Sequence, residues 1–138
     1  MIRAECGEDL IVRMIDGEDV GKGLREIACE AAWIQGGVGM VRNARLAYWN
    51  GSAYEEHVVD EPCELLSMQG NIGRDENETP VVHCHVALAR RDGTVVGGHL
   101  IAATAHNTVE AAFRSLPNVR LVRKPEPSGL VGLYPTVR

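Results

Sequence analysis

Residues Val81 to Ala103 read VVHCHVALARRDGTVVGGHLIAA, and the fold of the chain turns on how this stretch is paired. Two runs rich in Val, Leu and Ala flank Asp92-Gly93, the local signature of a β-hairpin. His83 and His85 are separated by one residue. In a strand, side chains alternate faces with period two, so both imidazoles leave the same face.

The register of the hairpin decides whether His99 joins them. A two-residue loop at Asp92-Gly93 pairs Arg91 with Thr94 and Val86 with His99, and His99 then faces away. A three-residue loop (Arg91, Asp92, Gly93), with Gly93 in the left-handed region as a G1 bulge, pairs Arg90 with Thr94. That register sets His85 opposite His99, with β-carbons roughly 5 Å apart. Asp suits the last turn position, and Gly takes positive φ without a Cβ clash, so the three-residue loop is the better fit.

Three neutral imidazoles converging on rigid strands suit a divalent transition metal, zinc first, with a fourth position open to water or a ligand. His83, His85 and His99 are therefore the candidate ligands. Gly97-Gly98, just before His99, gives a strand no side chains to pack and fits either close approach of a backbone or a ligand or a simple bulge.

The 138 residues are enough for one domain over residues 1–138 with a real core. A formal net charge of −5, with basic residues scattered, argues against a free-standing non-specific nucleic-acid binder. No apolar run of signal-peptide or membrane-spanning type is present, and the expected location is cytoplasmic. Cys6, Cys29, Cys63 and Cys84 have no Cys-x-x-Cys spacing and are expected to be small buried hydrophobes. Cys84 alternates with the histidines and should point to the opposite face.

Elsewhere, Asp9 to Ile15 (DLIVRMI) reads as a strand. Val20, Leu24, Ile27, Ala28, Ala31 and Ala32 recur at helical spacing, and a helix is expected from about Asp19 to Ala32. The Gly-rich WIQGGVGMV (33–41) lacks the Gly-Lys-Ser/Thr ending of a phosphate loop and reads as a bulged strand or tight backbone crossing. Ala44 to Trp49 continues as a strand, Asn50-Gly51 suggests a type I′ turn, and Ala53 to Val59 returns. From Pro62 a strand places Leu65, Ser67 and Gln69 on one face and Glu64, Leu66 and Met68 on the other. Arg74 to Pro80 is a polar loop. Thr108 to Phe113 reads as a strand with Val109, Ala111 and Phe113 in phase, and Arg120 to Arg138 alternates and turns at 125–129. The sum is an α+β domain: a mostly antiparallel sheet with one principal helix packed on it.

With these motifs in order, the chain resembles the PPC domain (plants and prokaryotes conserved, DUF296). The resemblance rests on GEDL (7–10), the helix followed by GGVG (36–39), LAYWNG (46–51) and CELLSMQGNIG (63–73). It continues through TPVVHCHVAL (79–88), the RDG turn, VVGGHL (95–100) and a Glu eleven residues after the last His. It implies a compact α+β fold, homotrimers, and a metal ion on His83, His85 and His99 in prokaryotic members. It also implies that Glu110 lies near that site. In plants the domain is joined to AT-hooks that bind the DNA minor groove. No Arg-Gly-Arg-Pro hook occurs here, so the family's DNA-binding label is not expected to carry over.

Three functions from different classes follow, in order of preference. The first is a metal-binding trimeric module with a regulatory or interaction role. The second is a metal-dependent enzyme acting on a small molecule, with Glu110 as general base. The third is DNA binding through a basic face assembled only in the oligomer.

Overall fold

The computed structural model describes residues 1–27 and 30–138. In chain order the elements are β1 (Ile2–Cys6), β2 (Asp9–Ile15), α1 (Val20–Arg25), β3 (Ala32–Trp49), β4 (Tyr54–Val59), β5 (Cys63–Asp75), β6 (Pro80–Ala89), β7 (Val95–Ser115), β8 (Val119–Pro125) and β9 (Val131–Val137).

The turn between β6 and β7 is the three-residue form. Arg90 N–H donates to the Thr94 carbonyl at 2.9 Å, and Gly93 N–H donates to the Arg90 carbonyl at 2.9 Å. Gly93 has φ +85°, the left-handed conformation that a G1 bulge requires. The Asp92 carboxylate accepts from the Thr94 N–H and hydroxyl at 2.9 and 2.7 Å, which ties the turn to the start of β7. His85 accordingly pairs with His99.

The long strands do more than form a hairpin. β7 pairs antiparallel with β6 near its start and with β3 along most of its length, while β3 pairs with β5 and β5 with β6. The circuit β7–β3–β5–β6 closes on itself and leaves these strands few free edges. β1 and β2 extend the sheet beyond β7, β4 folds back on β3, and the β8–β9 hairpin joins β5 by a parallel pairing. Inside lie Ile34, Leu46, Met68, Ile72, Leu88, Val109 and Phe113, all buried. Val109, Ala111 and Phe113 face inward together, as their alternation predicts for a strand.

The Gly-rich passage is part of β3. At Gly39, where φ is +136°, an added Cβ would sit 2.2 Å from the Thr108 carbonyl oxygen. Only a residue without a side chain lets β3 press this closely on β7.

Five expectations need correction. Among the described residues there is no principal helix: α1 covers Val20–Arg25, and Ala32 already opens β3. Two of its six residues, Gly21 and Gly23, are poor helix formers, so the start held by the Asp19 N-cap (Oδ1 to Lys22 N, 2.7 Å) does not propagate far. A Cβ on Gly23 would lie 2.8 Å from Met14 Cε, so small residues also let α1 sit close on β2. Ala28 and Cys29 fall outside the described residues. The domain is nearly all β, in a mixed sheet.

Asn50-Gly51 is not a two-residue type I′ turn. Trp49 pairs with Tyr54, and residues 50–53 make a longer loop in which the Asn50 side chain accepts from the Ser52 and Ala53 N–H groups at 3.0 Å each. In β5 a register shift between Leu65 and Ser67 inserts one residue, so Leu65 and Met68 are both buried and the simple alternation fails. Cys6 is exposed on the edge strand β1, while Cys63 and Cys84 are buried. The polar loop is shorter than 74–80, because β5 runs to Asp75 and β6 begins at Pro80.

Gly39→Ala should lower the stability of the fold by at least about 2 kcal/mol, through strain at a positive φ and a backbone clash. Urea unfolding checks this, and a variant within about 0.5 kcal/mol of the parent would contradict the close β3–β7 contact.

Candidate metal centre

The β6 strand carries His83 and His85 on one face and Cys84 on the other. Cys84 is buried in the core, and desolvation raises its thiol to about 12. It is an inert core side chain, as its alternation with the histidines indicates. His99 enters from β7, clamped from both sides because it pairs with His85 on β6 and with Ala47 on β3. Added Cβ atoms on Gly97 and Gly98 would lie 2.7 Å from the Val86 carbonyl oxygen and 2.9 Å from that of Ala47. The double glycine therefore serves close backbone approach on both flanks.

The three imidazoles converge. Their ring centroids are 5.0, 5.3 and 5.5 Å apart, and one ligating nitrogen from each lies within 4.8 Å of the others. His85 is exposed, while His83 and His99 are half-buried. Desolvation, followed by the charges of Arg123, His99 and His85, pulls the His83 pKa down to about 4. His99 is lowered too, first by desolvation and then by His85 and Arg123. Burial and mutual repulsion thus hold these two rings neutral near pH 7, the state a metal ligand needs.

The site also fits a cation at a specific atom. His99 Nδ1 is buried with no hydrogen-bond partner. A buried polar nitrogen without a partner is costly, and either a proton donor or a metal ion relieves it. The residues present therefore suit a three-histidine site with room for a further ligand.

A concavity of about 890 Å³ opens beside the cluster. Its walls are aromatic and aliphatic, with Trp49, Tyr54, Leu130 and Val131 among the lining residues. Tyr54 lies over His99 with centroids 5.6 Å apart, and Trp49 meets Tyr54 edge-on at 5.1 Å. Arg123 from β8 also lines it, at 7% exposure. Its guanidinium donates to Asn71 Oδ1 at 2.8 Å and to the Val131 carbonyl at 3.3 Å, while its Nε is buried without a partner.

Glu110 does not join the cluster within one chain. It lies eleven residues beyond His99 on β7, paired with Arg13 of β2 and Val38 of β3, and it borders a shallow apolar surface with Ile11 and Val38 instead. A continuous strand carries it away from the histidines at about 3.3 Å per residue. Asp75 is the carboxylate on the groove, but its Oδ1 already accepts from the Asn77 and Thr79 N–H groups at 2.8 and 2.9 Å.

Sequence reasoning passed over Arg123, Asn71 and the aromatic wall. A signal for the first was present: Arg123 stands in phase with Val119 and Leu121 in an alternating strand, an inward position where a charge is unusual.

The model of the Plants and Prokaryotes Conserved (PCC) domain matches residues 1–117. The chain belongs to this family. Its fold is similar to that of a plant- and prokaryote-conserved protein of Pyrococcus horikoshii, with a TM-score of 0.86 and 26% identity over 96% of this chain and 94% of the other. A metal-containing protein of Archaeoglobus fulgidus superposes with a TM-score of 0.84 and 28% identity, covering 97% of this chain and 99% of that one. A Bacteroides thetaiotaomicron protein described as a candidate DNA-binding protein shares the fold, with a TM-score of 0.88 at 24% identity over 96% of both chains. Among curated proteins, the bifunctional protein GlmU of Synechococcus sp. (strain JA-3-3Ab) is 26% identical over 122 residues, 85% of this chain. The chain spans only 18% of that relative's length. The PPC-like family resemblance read from the motifs is thus established.

The depressed pKa of His83 has a definite sign for stability. The unfolded chain takes up a proton near the ordinary histidine value of 6.5, but the folded chain refuses it down to about pH 4. The His83 contribution is fully present above about 6.5 and is lost as pH falls toward 4. Metal-free protein should therefore lose melting temperature between pH 7 and 4.5, and His83→Gln should lose less. Parallel slopes in differential scanning calorimetry would contradict this environment for His83.

Proposed function

We propose that the chain is a metal-binding domain in which His83, His85 and His99 hold a divalent ion, zinc first, at the floor of an open groove. It acts as a regulatory or interaction module built on a homotrimer. The observation that carries this reading is the convergence of three ligating nitrogens within 4.8 Å, one of them on a ring whose Nδ1 is buried and unpartnered. The family relative from Archaeoglobus fulgidus is a metal-containing protein, which supports it. A divalent ion bound there supplies Lewis-acid character toward a group in the groove. The chain's own part is to keep the imidazoles neutral and oriented, with Tyr54 packed over His99 and apolar side chains beside it.

The enzymatic alternative needs a base at the groove. Glu110 lies elsewhere in the same chain, and Asp75 is engaged in its own turn, so the geometry favours binding over catalysis. For DNA, the formal charge of −5 gives no electrostatic support.

The trimer reading draws on an uncovered face. Ile11 on β2 and Val38 on β3 stand on the outer side of the sheet, paired with Ala112 and Glu110 of β7, with Trp33 further along β3. Ile11 is 56% and Val38 54% exposed, and together they form an apolar strip of the kind that subunits bury.

Protein purified without chelators or a His-tag should carry about one zinc per chain by mass spectrometry. The combined His83→Ala/His85→Ala/His99→Ala variant should carry none. Metal-free protein at equal yield, unable to take up added zinc, would sink the proposal. Glu110→Gln should leave metal content unchanged, and a loss would return Glu110 to the site. Val38→Glu should shift the mass in multi-angle light scattering from trimer to monomer, and an unchanged trimer would move the interface elsewhere.

A further inference from the structure

Arg123 is the charged group on the groove that the three-histidine site leaves unexplained. At 7% exposure it is among the few buried polar residues described. Its two recorded hydrogen bonds go to neutral oxygens, Asn71 Oδ1 and the Val131 carbonyl. Among the described residues no carboxylate forms an ion pair with it. The nearest candidate by register is Asp75, its strand partner across β5–β8, and that carboxylate serves the 75–79 turn. A guanidinium has five N–H donors. Two are used here, and Nε–H is buried without an acceptor.

A buried charge without a counter-ion is expensive, and it persists where a ligand supplies the partner. The free Nε–H belongs to the edge of the fork that binds a carboxylate with two parallel hydrogen bonds. Around it the groove is lined by Trp49, Tyr54, Leu130 and Val131, and Trp49 reaches Gly129 of the β8–β9 turn. Its volume of about 890 Å³ falls in the range of small-molecule sites.

We propose that this groove binds a small organic anion, its carboxylate on Arg123 and its planar or apolar body between the aromatic pair and the β8–β9 hairpin. The inference deepens the metal-centre reading and rests on it for the far end of the ligand, which lies toward His83, His85 and His99. Arg123 sets the charge that is accepted, and the aromatic wall sets the shape.

The test uses the full chain, both zinc-loaded and metal-free, titrated with benzoate, phenylphosphonate and acetate by calorimetry, with tryptophan fluorescence as a second readout. Benzoate should bind at least tenfold more tightly than acetate, which has the charge without the body. Arg123→Lys, which keeps the charge but loses the fork, should weaken benzoate at least tenfold, with an unchanged circular dichroism spectrum. Arg123→Met is the second variant if the first disturbs folding. Tighter phenylphosphonate than benzoate, still lost in Arg123→Lys, would support the anion site and reassign the headgroup to a phosphonate or phosphate. Arg123-dependent binding to protein that takes up no zinc would support the anion site while the metal reading fails. Normal zinc uptake with no binding of either aromatic anion at 10 mM (about 10⁻² M, weaker than the millimolar end of ordinary affinities) would overturn the anion site alone. Binding undiminished in both Arg123 variants would also overturn it. So would loss of the trimer in Arg123→Met without any anion binding, because Arg123 would then be paired with an acidic residue of a second copy.

Discussion

The pairing of β6 with β7 is the constraint on which this structure depends. One residue more or fewer in the turn after Arg90 would send His99 to the other side of the sheet, because side chains alternate faces with period two. The turn is held by Gly93 at a positive φ and by Asp92, whose carboxylate takes both the N–H and the hydroxyl of Thr94. The same register that turns His83, His85 and His99 outward turns Cys84, Val86 and Leu88 into the core. Burial of those apolar side chains therefore holds the imidazoles in place, and the site inherits its rigidity from the core beneath.

Closure of the β7–β3–β5–β6 circuit supplies the rest of that rigidity. His99 is bracketed by backbone from two strands, which requires small residues before it and explains Gly97-Gly98 without a ligand. β3 carries a register shift at Gly39, where the glycine lets it touch β7, and further shifts between Arg42 and Leu46, and such irregularities bend the long strands. The helix has a minor part. Both of its glycines lower helical propensity, and one of them, Gly23, lets it pack closely on Met14 of β2.

The electrostatics of the site follow from its position at the edge of the core. His83 and His99 are desolvated and lie near a guanidinium, and both effects favour the neutral ring. Arg123 comes from β8, attached to β5 through only two parallel pairs, Arg74 with Val122 and Asp75 with Arg123. Leu121 packs inward and the Arg123–Asn71 bond joins this hairpin to the strand beside His83. The family model ends at residue 117, so the second wall of the groove, from Arg123 to Val131, lies beyond the matched segment.

Much of this was legible in residue order. The hairpin, its three-residue turn, the outward histidines, the inward Cys84 and the bulged Gly-rich strand all follow from local rules: period-two alternation, turn chemistry and the absence of a Cβ. Those rules act between neighbours, so one sequence suffices to apply them. The helix was overread because Ala28, Ala31 and Ala32 match its spacing, while the competing strand pairing of Ala32 with Ile72 and Ser115 comes from partners at least 40 residues away. The alternation of β5 misled at its bulge for the same reason, since the extra residue is defined only against β6. Glu110 shares a strand with His99, yet the sheet takes it to another face of the molecule. Arg123 and the aromatic wall reached the histidines only through the closed circuit and the parallel β5–β8 pairing. Local chemistry determined which side chains point together within one hairpin. Only tertiary pairing, which acts at a distance along the chain, decided what surrounds them.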